Sequence, residues 1–253
     1  PNIGLRGVNP DRSKKVTLME DGVLFGPAPY SAPAAYFFPL VTRMSQVRVI
    51  KGPGAISYGP QTVGGAIDFI TRPIPTTPSG EVDLAVGMYG YNKLDAHFGG
   101  SDERLGFLVE GTHIGSSGFK ELPSGEDTGF YRNDFVLKGS YQLDPHATRI
   151  NELRLKLAFS NELSNETYLG LTDEDFRADP LQRYQASALD RMRNYRFSIV
   201  GTHVFEPADN LSFTTNVYRH DYYRTWRKAN HFRGADLFDV ISGPNDARNQ
   251  LYR

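Results

Sequence analysis

The sequence contains no cysteine, which excludes a disulfide framework and a thiolate metal site. Its six histidines are scattered without the spacing of a metal site. The 28 Lys and Arg residues and the 29 Asp and Glu residues nearly cancel, so net charge does not indicate nucleic acid or another polyanion as a partner. No apolar run approaches the ~20 residues that a membrane-spanning helix needs.

The signatures of catalysis and of nucleotide binding are also missing. The glycine-rich segment from Gly52 to Gly59 lacks the Gly-Lys-Ser/Thr ending of a phosphate loop. We interpret it as a tight turn in which glycine permits positive φ. The acidic residues between 173 and 179 do not have EF-hand spacing, and no Ser/His/Asp arrangement or carboxylate pair stands out. We therefore expect no enzyme activity, no cofactor and no metal held by the protein itself.

Alternation of apolar and polar residues dominates the chain from residue 80 onward. About seven segments show it, and they cover 82–88, 94–98, 105–110, 135–143, 153–160, 195–205 and 211–217. Such segments come near the ~9–11 residues that a tilted strand needs to cross a bilayer. A soluble β-sandwich would alternate as well, so alternation alone leaves both architectures open.

Two further features favour a membrane barrel. The connections between the segments alternate between short and long, which is typical of barrels with short turns on one side and long loops on the other. Aromatic residues cluster at the segment ends, as in an interfacial girdle. These residues are Tyr89, Tyr91, Phe130, Tyr131, Tyr222, Tyr223 and Trp226.

The first quarter of the chain has a different pattern. Short β runs at 16–20, 47–50 and 66–71 are separated by Gly and Pro, and Asp21-Gly22 predicts a hairpin turn. Pro39 to Met44 predicts a short helix. A Thr/Pro-rich stretch follows, and it reads as a stiff linker. We expect one domain at 1–73, a linker at 74–79, and strands over 80–253.

Five sequence blocks carry a family resemblance. They are Gly4-Leu5-Arg6-Gly7, Leu18 to Val23, Val47 to Ala55, Tyr58 to Gln61 and Gly64 to Thr71. In this order and spacing they resemble the plug domain of TonB-dependent outer-membrane receptors. The resemblance implies a mostly β fold, in which a small α/β plug domain closes an antiparallel, up-and-down transmembrane β-barrel of about 22 strands. The chain begins with Pro and ends in residues that look like an interrupted strand, so we expect a fragment with roughly a third of that barrel.

The resemblance also implies a function. A receptor of this kind lies in the outer membrane of a Gram-negative bacterium and takes up a scarce nutrient, here a ferric chelate such as ferric citrate or a siderophore. Its expected partners are the chelate, outer-membrane lipid and the TonB–ExbB–ExbD complex, which it contacts through an N-terminal segment absent from this sequence. We expect a monomer. The alternatives are another cargo (cobalamin, a nickel chelate or an oligosaccharide), a passive porin, and a soluble β-sandwich binding module.

Candidate ligand-binding residues follow from the same resemblance. Tyr30 and Ser31 lie in the segment that forms a plug apex in similar receptors, with Gln61 on a neighbouring loop; a Pro-rich turn without ligand contact is the alternative. The segment 165–188 resembles a loop of the ferric dicitrate receptor branch. Arg177 and Arg183 within it offer guanidinium groups that match the carboxylates of an anionic chelate. A solvated loop is the alternative for each arginine.

The resemblance further implies contacts between plug and barrel. Two plug arginines of the family face carboxylates on the barrel wall, and the matching positions here are Arg6 and Lys51. A lysine cannot form the two parallel hydrogen bonds that an arginine forms with a carboxylate, so this contact is expected to be looser. Glu110 is the candidate wall partner, because alternation places it on the inner side; an ordinary solvated charge is the alternative.

Overall fold

The computed structural model describes residues 2–25, 37–59, 61–243 and 245–252. Their main elements are a four-stranded sheet near the start of the chain and a seven-stranded sheet after it. We call the described residues up to 73 the plug and the seven-stranded sheet the wall. Among all the described residues, no helix has both the length and the apolar character needed to span a membrane.

The plug sheet consists of four short strands. They are β1 (Val16–Glu20), β2 (Val23–Leu24), β3 (Met44–Ile50) and β4 (Gly65–Thr71). The order is β2-β1-β4-β3, with β1 parallel to β4 and the other pairs antiparallel. The predicted turn is confirmed, because Asp21 and Gly22 have φ of 52° and 79°, the positive values of the tightest hairpin connection.

The central strand β1 is buried along its whole length. One face of the sheet carries Val16 and Leu18, which pack with Phe25 and Phe69. Met19 lies in a second cluster on the other face. Because both faces of β1 are covered, apolar residues occur on both of them, Val16 and Leu18 on one face and Met19 on the other.

Helical structure in the described part of the plug is limited to short 3₁₀ segments at Asp11–Ser13, Val41–Arg43 and Pro53–Tyr58. The helix predicted at 39–44 is therefore a single turn, because Met44 already begins β3. The glycine-rich segment is the turn that we predicted. Gly52 and Gly59 flank Pro53–Tyr58 with φ of 79° and 124°, values that favour glycine.

The wall confirms the seven predicted strands. They are β5 (Ser79–Val86), β6 (Asn92–Ser101), β7 (Leu105–Ser116), β8 (Phe130–Gln142), β9 (Asn151–Asn165), β10 (Arg191–Ala208) and β11 (Leu211–Arg227). Each strand pairs in antiparallel fashion with the next along the chain. This is an up-and-down sheet, and its order matches the predicted fold class.

The polarity of the wall is opposite to that of a soluble β-sandwich. Along β10, Asn194, Arg196 and Ser198 are buried, while Tyr195 and Phe197 are exposed to 45% and 40%. The same alternation continues across the sheet, where the buried polar residues include Asp95, Glu110, Thr112, Asp134 and Ser160. The polar face lies against the plug and the apolar face points away from it. Two packed sheets in water would bury the apolar faces instead.

The predicted aromatic girdle is wrong for Tyr222 and Trp226, which lie on the inward face of the wall. Tyr131 and Tyr223 lie on the outward faces of their strands, as predicted. Tyr222 and Trp226 share the inward face with His220, whose ring contacts the backbone of the plug. Tyr222 packs edge-on against Phe37 of the plug. The period of two along β11 therefore assigns neighbouring aromatic residues to opposite faces.

The described residues after β11 do not form the interrupted strand that we predicted for the end of the chain; residue 253 lies outside the described residues. They contain the short hairpin β12 (His231–Phe232) and β13 (Ala235–Asp236), followed by helices at Leu237–Ser242 and Ala247–Tyr252. These elements pack on the long β9–β10 connection, which has its own helix at Asp173–Ala178. Their common apolar core is Tyr184, Leu237, Val240 and Tyr252. The terminal segment therefore packs on the long connection as helices and not as an extended strand.

Candidate functional site

Arg43 joins the plug to the wall in a buried ion cluster. The 3₁₀ turn that precedes β3 presents its guanidinium, which is 2% exposed. Nη1 and Nη2 donate to the two carboxylate oxygens of Glu20, at 3.3 and 2.7 Å. Nε donates to Oδ2 of Asp134 on β8, at 3.1 Å. The planar fork of arginine suits this geometry, in which one side chain serves carboxylates on two separate sheets.

Asp134 is held in place by the wall itself. Ser160 Oγ donates to Oδ1 at 2.6 Å, and Arg132 Nε donates to the same oxygen at 3.1 Å. Arg132 also reaches into the plug, where its Nη1 donates to the carbonyl of Phe38 at 2.7 Å. The wall carboxylate is therefore oriented before it meets the plug, and a second guanidinium crosses the same boundary.

Two lysines of the wall hold the β1–β2 turn and the end of β4. Lys156 Nζ donates to Glu20 and, at 2.7 Å, to Oδ2 of Asp21. Lys138 Nζ donates to the hydroxyl of Thr71 at 2.5 Å and to the carbonyl of Arg72 at 2.7 Å. The two acidic residues at the β1–β2 turn are thus surrounded by cations.

Electrostatics favour the charged forms of the plug residues in this cluster. Burial raises the pKa of Glu20, but the charges of Arg43 and Lys156 outweigh it and hold that pKa well below 4.5. Burial likewise raises the pKa of Asp21, and Lys156 with Lys138 brings it below 3.8. Burial lowers the pKa of Arg43, yet Glu20 and Asp134 raise it above its ordinary value. All three groups are charged near neutral pH.

The ion pair of Glu110 is with Arg72, not with Arg6 or Lys51. Arg72 Nε donates to Oε1 of Glu110 at 3.2 Å, and its Nη2 lies 3.8 Å from Asp95. Arg6 and Lys51 are exposed. Glu110 therefore faces the plug, as the alternation predicted, but its partner is the residue that follows β4. The expected wall contacts of Arg6 and Lys51 stay predictions.

His220 of the wall contacts the backbone of the plug, and its two partners fix the tautomer of its imidazole ring. Its Nε2 lies 3.0 Å from the carbonyl oxygen of Leu24, which can only accept. Its Nδ1 lies 3.1 Å from Arg196 Nη2, which can only donate. Both contacts are satisfied together by neutral imidazole with its hydrogen on Nε2. The Arg196 guanidinium also lies 4.5 Å from the ring centre of Phe37, a cation–π contact with the plug.

The predicted ligand-binding residues are spread over the plug and a long loop. Tyr30 and Ser31 lie outside the described residues. Gln61 lies half-buried in the turn before β4. Arg177 is exposed in the last turn of the helix at Asp173–Ala178. Arg183 Nη1 donates to the carbonyls of Pro180 and Gln182, at 2.9 and 2.5 Å, so this side chain also holds its own loop.

A cation–aromatic cluster lies at the end of the wall that carries the long connections, and the sequence did not predict it. Lys228 Nζ lies 3.6 Å from the ring centre of Tyr168 and 4.4 Å from that of Trp226. Trp226 Nε1 donates to Glu166 at 2.6 Å. Tyr168 and Glu166 also line a cavity of about 450 Å³ between the ends of β7, β8 and β9. The arrangement offers stacking surfaces and charges of both signs to a polar ligand.

Sequence reasoning missed the residues of the ion cluster because their partners are distant in the chain. Arg43 fell within a predicted helix, and Glu20 was read only as the end of a short strand. One signal was present. Asp134, Lys138 and Lys156 are charged residues on the polar faces of predicted strands, and such charges need partners when another domain covers that face.

Comparisons with known proteins bear on the fold. No family model matches the sequence. The ferric citrate transporter FecA in its unliganded form shares 23% identity and a TM-score of 0.71, with 90% of this chain and 34% of that chain covered. The ferric yersiniabactin uptake receptor FyuA from Yersinia pestis shares 20% identity and a TM-score of 0.70, with 90% and 36% covered. The siderophore receptor PiuA from Acinetobacter baumannii shares 13% identity and a TM-score of 0.68, with 88% and 30% covered.

These similarities establish the architecture. The chain has the fold of about a third of each of these proteins, a small mixed sheet followed by an up-and-down antiparallel sheet, which is the fold class that the sequence motifs predicted. The three proteins are a transporter and receptors rather than enzymes. The chain spans about a third of the length of each.

Proposed function

We propose that this chain is the plug and the first seven barrel strands of an outer-membrane receptor of a Gram-negative bacterium. The receptor takes up a ferric chelate with energy supplied by the TonB–ExbB–ExbD complex. Ferric citrate and siderophores are the proposed cargo, since the structurally similar proteins carry these names. The iron enters as part of the chelate, so it is substrate rather than a resident cofactor. Cobalamin, a nickel chelate or an oligosaccharide is the alternative cargo.

The observation that supports this proposal most is the polarity of the wall. A sheet with an exposed apolar face and a buried polar face fits a lipid exterior and a filled lumen. A passive porin is disfavoured because its lumen must stay open, whereas here the plug contacts the inner face through Arg43, Lys138 and Lys156. A soluble sandwich is disfavoured because it would expose the polar face.

The chemistry of the interface suits a plug that has to move. Apart from the packing of Phe37 on Tyr222 and Arg196, its described contacts are ion pairs and hydrogen bonds, each of which water can replace once the plug shifts. An apolar interface would have to expose its whole area to water during the same movement. We infer that force applied to the plug separates Arg43 from Asp134, and the two plug carboxylates from Lys156. This movement opens a path along the polar face of the wall.

The long connections of the wall would face the outside of the cell. They contain Arg177, the Lys228 cluster and the cavity beside Tyr168. Guanidinium and ammonium groups pair with the carboxylates of an anionic chelate. Arg177 is the more specific candidate, because Arg183 already donates to backbone carbonyls of its own loop.

Uptake of radiolabelled ferric citrate tests the proposal. The complete gene would be expressed in an iron-starved strain that lacks its own ferric-chelate receptors, with and without functional TonB. We expect accumulation of iron only with TonB. Accumulation that does not depend on TonB would favour a passive pore and contradict the proposal. No accumulation of ferric citrate, followed by TonB-dependent uptake of cobalamin, a nickel chelate or an oligosaccharide, would replace the cargo and keep the mechanism.

A pair of variants tests the role of the loop. Arg177→Gln should raise the dissociation constant for ferric citrate by about tenfold, the effect of losing one charge-assisted contact of ~1.4 kcal/mol. Arg149→Gln is the matched control, because Arg149 is an exposed arginine in the short turn at the opposite end of the wall. Equal affinities for the two variants would exclude Arg177 from the site.

A further inference from the structure

His97 of β6 and Glu110 of β7 lie directly opposite each other on the inward face of the wall. Nδ1 of His97 and Oε2 of Glu110 are both buried, and neither atom has a hydrogen-bond partner among the described residues. The other carboxylate oxygen of Glu110 accepts from Nε of Arg72, the residue that follows β4 of the plug. Glu110 therefore has one oxygen paired with the plug and one oxygen still without a donor.

The strand register brings a donor within reach of that oxygen. Two positions along the same strands, Thr112 Oγ1 donates to Oδ2 of the opposite residue, Asp95, at 2.7 Å. Pairs two positions apart in an antiparallel ladder have the same spacing and share a face. Opposite residues are ~5 Å apart at Cβ, so their side chains interact. Nδ1 of His97 can therefore reach Oε2 of Glu110 by rotation of side chains alone.

The charged groups around the pair suit a hydrogen bond in which the imidazole ring donates. Further charged side chains near the pair are Asp83 of β5, Lys93 and Asp95 of β6, Lys138 of β8, and Arg43 and Arg72 of the plug. In the strand register His97 lies between two carboxylates, with Glu81 of β5 on one side and Glu110 on the other. An ionised carboxylate can only accept, so the ring must supply the hydrogen.

Movement of the plug takes Arg72 away from this face of the wall. Its Nε lies 3.2 Å from Oε1 of Glu110, and its Nη2 lies 3.8 Å from Asp95. Asp95 would keep the hydroxyl of Thr112, whereas Glu110 would lose the donor that it has in the seated plug. Removing the partner of a buried carboxylate is costly, and water reaches it only after the plug has moved. The barrier to the first separation therefore depends on a donor within the wall.

We propose that His97 is a second partner of Glu110, which takes the place of Arg72 as the plug separates from the wall. The ring donates from Nδ1 to Oε2, so the carboxylate is not left unpaired while Arg72 withdraws. His97 thus speeds the release of the plug and does not hold the plug in its seated position. The proposal rests on the proposed function for the movement of the plug, while the exchange of partners involves only residues of this chain.

The rate at which the plug opens tests this role. The complete receptor is placed in a planar lipid bilayer, and the onset of channel current is timed after a fixed step in urea concentration. His97→Phe keeps an aromatic ring without a donor, and His97→Gln keeps a donor in its amide. The matched control is His113→Phe, because His113 lies on the outward face of β7, where its Nδ1 is 2.6 Å from Asn133.

We expect His97→Phe to delay the current about fivefold, the effect on a rate of losing one ordinary hydrogen bond. His97→Gln and the control should match the unaltered protein. In a Glu110→Met background, His97→Phe should cause no further delay, because the carboxylate is absent. No delay in His97→Phe would overturn the proposal. Equal delays in His97→Phe and His97→Gln, or the same delay in the Glu110→Met background, would also overturn it.

The dependence of opening on pH is a readout that the shape of the ring would not change. Histidine ordinarily changes charge between about pH 5 and 8, and the charged ring always has a hydrogen on Nδ1. The ratio of the opening rates at about pH 6 and about pH 8 should be larger in the unaltered protein than in His97→Gln. His220, whose ring also contacts the plug, is present in both proteins. Equal ratios would contradict donation by His97.

Uptake of radiolabelled ferric citrate by the same proteins separates this proposal from the proposed function. TonB-dependent uptake by the unaltered protein, together with an undelayed current in His97→Phe, would overturn the role of His97 alone. A delayed current in His97→Phe, without TonB-dependent uptake of any cargo by the unaltered protein, would leave the role of His97 standing and count against the proposed function.

Discussion

Arg43 of the plug donates to Asp134 of the wall across 91 residues of sequence, with 3.1 Å between Nε and Oδ2. Both side chains are almost completely buried, at 2% and 3% exposure. Such a pair adds little net stability compared with an apolar contact, but removing one partner leaves a buried charge without compensation. The pair therefore specifies how the plug is seated in the wall, and the variants that follow test it.

Substitution of Arg43 by methionine should weaken the seating of the plug. Glu20 would keep Lys156, and Asp134 would keep Arg132 and Ser160, yet both would lose their shared guanidinium. We expect a loss of about 3–5 kcal/mol in the stability of the seated plug, the usual cost of breaking a buried ion pair. Hydrogen exchange of the β1 amides in the complete receptor measures this change.

Lys14→Met is the control for that experiment. Lys14 pairs with Asp11 at 2.7 Å on the surface of the plug, where both side chains are about half exposed. Exposed pairs contribute little, so exchange in β1 should stay as in the unaltered protein. Equal protection of β1 in both variants would show that the Arg43 cluster does not hold the plug.

Acid should release the plug through Glu20 and Asp21. The pKa values of both are lower in the folded protein than their ordinary values of 4.5 and 3.8. A carboxylate of this kind stabilises the fold fully above its unfolded pKa, and the stabilisation is lost as the pH falls through the folded pKa. Protection of the β1 amides should therefore be constant from about pH 7 to about pH 5 and decrease below 4.5.

Lys156→Met should move that acid transition to higher pH. Burial raises the pKa of both acidic residues and Lys156 lowers it, so both pKa values should be higher in this variant than in the unaltered protein, although Arg43 and Lys138 still lower them. The same hydrogen-exchange series, repeated for this variant, measures the displacement. A transition at an unchanged pH would mean that Lys156 does not act on these carboxylates.

Glu110 should be energetically coupled to Arg72 and not to Lys51. Arg72 donates to Glu110 at 3.2 Å, whereas Lys51 is exposed. Double-mutant cycles with Arg72→Met, Lys51→Met and Glu110→Gln, read out by urea unfolding of the plug, separate the two pairs. We expect a coupling of about 0.5–3 kcal/mol for the first pair and none for the second. The opposite result would restore the wall contact that the sequence resemblance implied.

The hydroxyl of Tyr184 should stabilise the long β9–β10 connection. It donates to Oδ2 of Asp175 at 2.6 Å and accepts from the backbone of Thr172 at 3.0 Å. Tyr184→Phe leaves both groups without this partner, at a cost of about 1–3 kcal/mol. Limited trypsin digestion should cut after Arg177 faster in this variant. Tyr168→Phe, whose ring is half exposed in the same connection, should be cut at the unaltered rate.

The strands and their inner and outer faces were predictable because they depend on local patterns. A period of two over ten residues defines a strand and both of its faces, so all seven wall strands and the inward position of Glu110 followed from the sequence. Asp21 and Gly22 fix the β1–β2 hairpin by their positive φ, which is also a local property.

The partners across the interface were not predictable. Which carboxylate meets Arg43, or which cation meets Glu110, depends on how two sheets are positioned, and no single-strand pattern contains that information. The terminal helix at Ala247–Tyr252 was missed for a related reason, because it packs on Tyr184 from another loop. The prediction put Tyr222 in the aromatic girdle because it used only the clustering of aromatic residues. It did not consider which face of the strand each residue occupies.

Conductance of the complete receptor in a planar lipid bilayer tests the central claim, that the plug fills the lumen and is held there by the Arg43 cluster. We predict no steady current for the unaltered protein, channel currents that appear reversibly as urea releases the plug, and the same currents at a lower urea concentration for Arg43→Met. Steady current through the unaltered protein without urea would contradict the account, because the lumen would then be open.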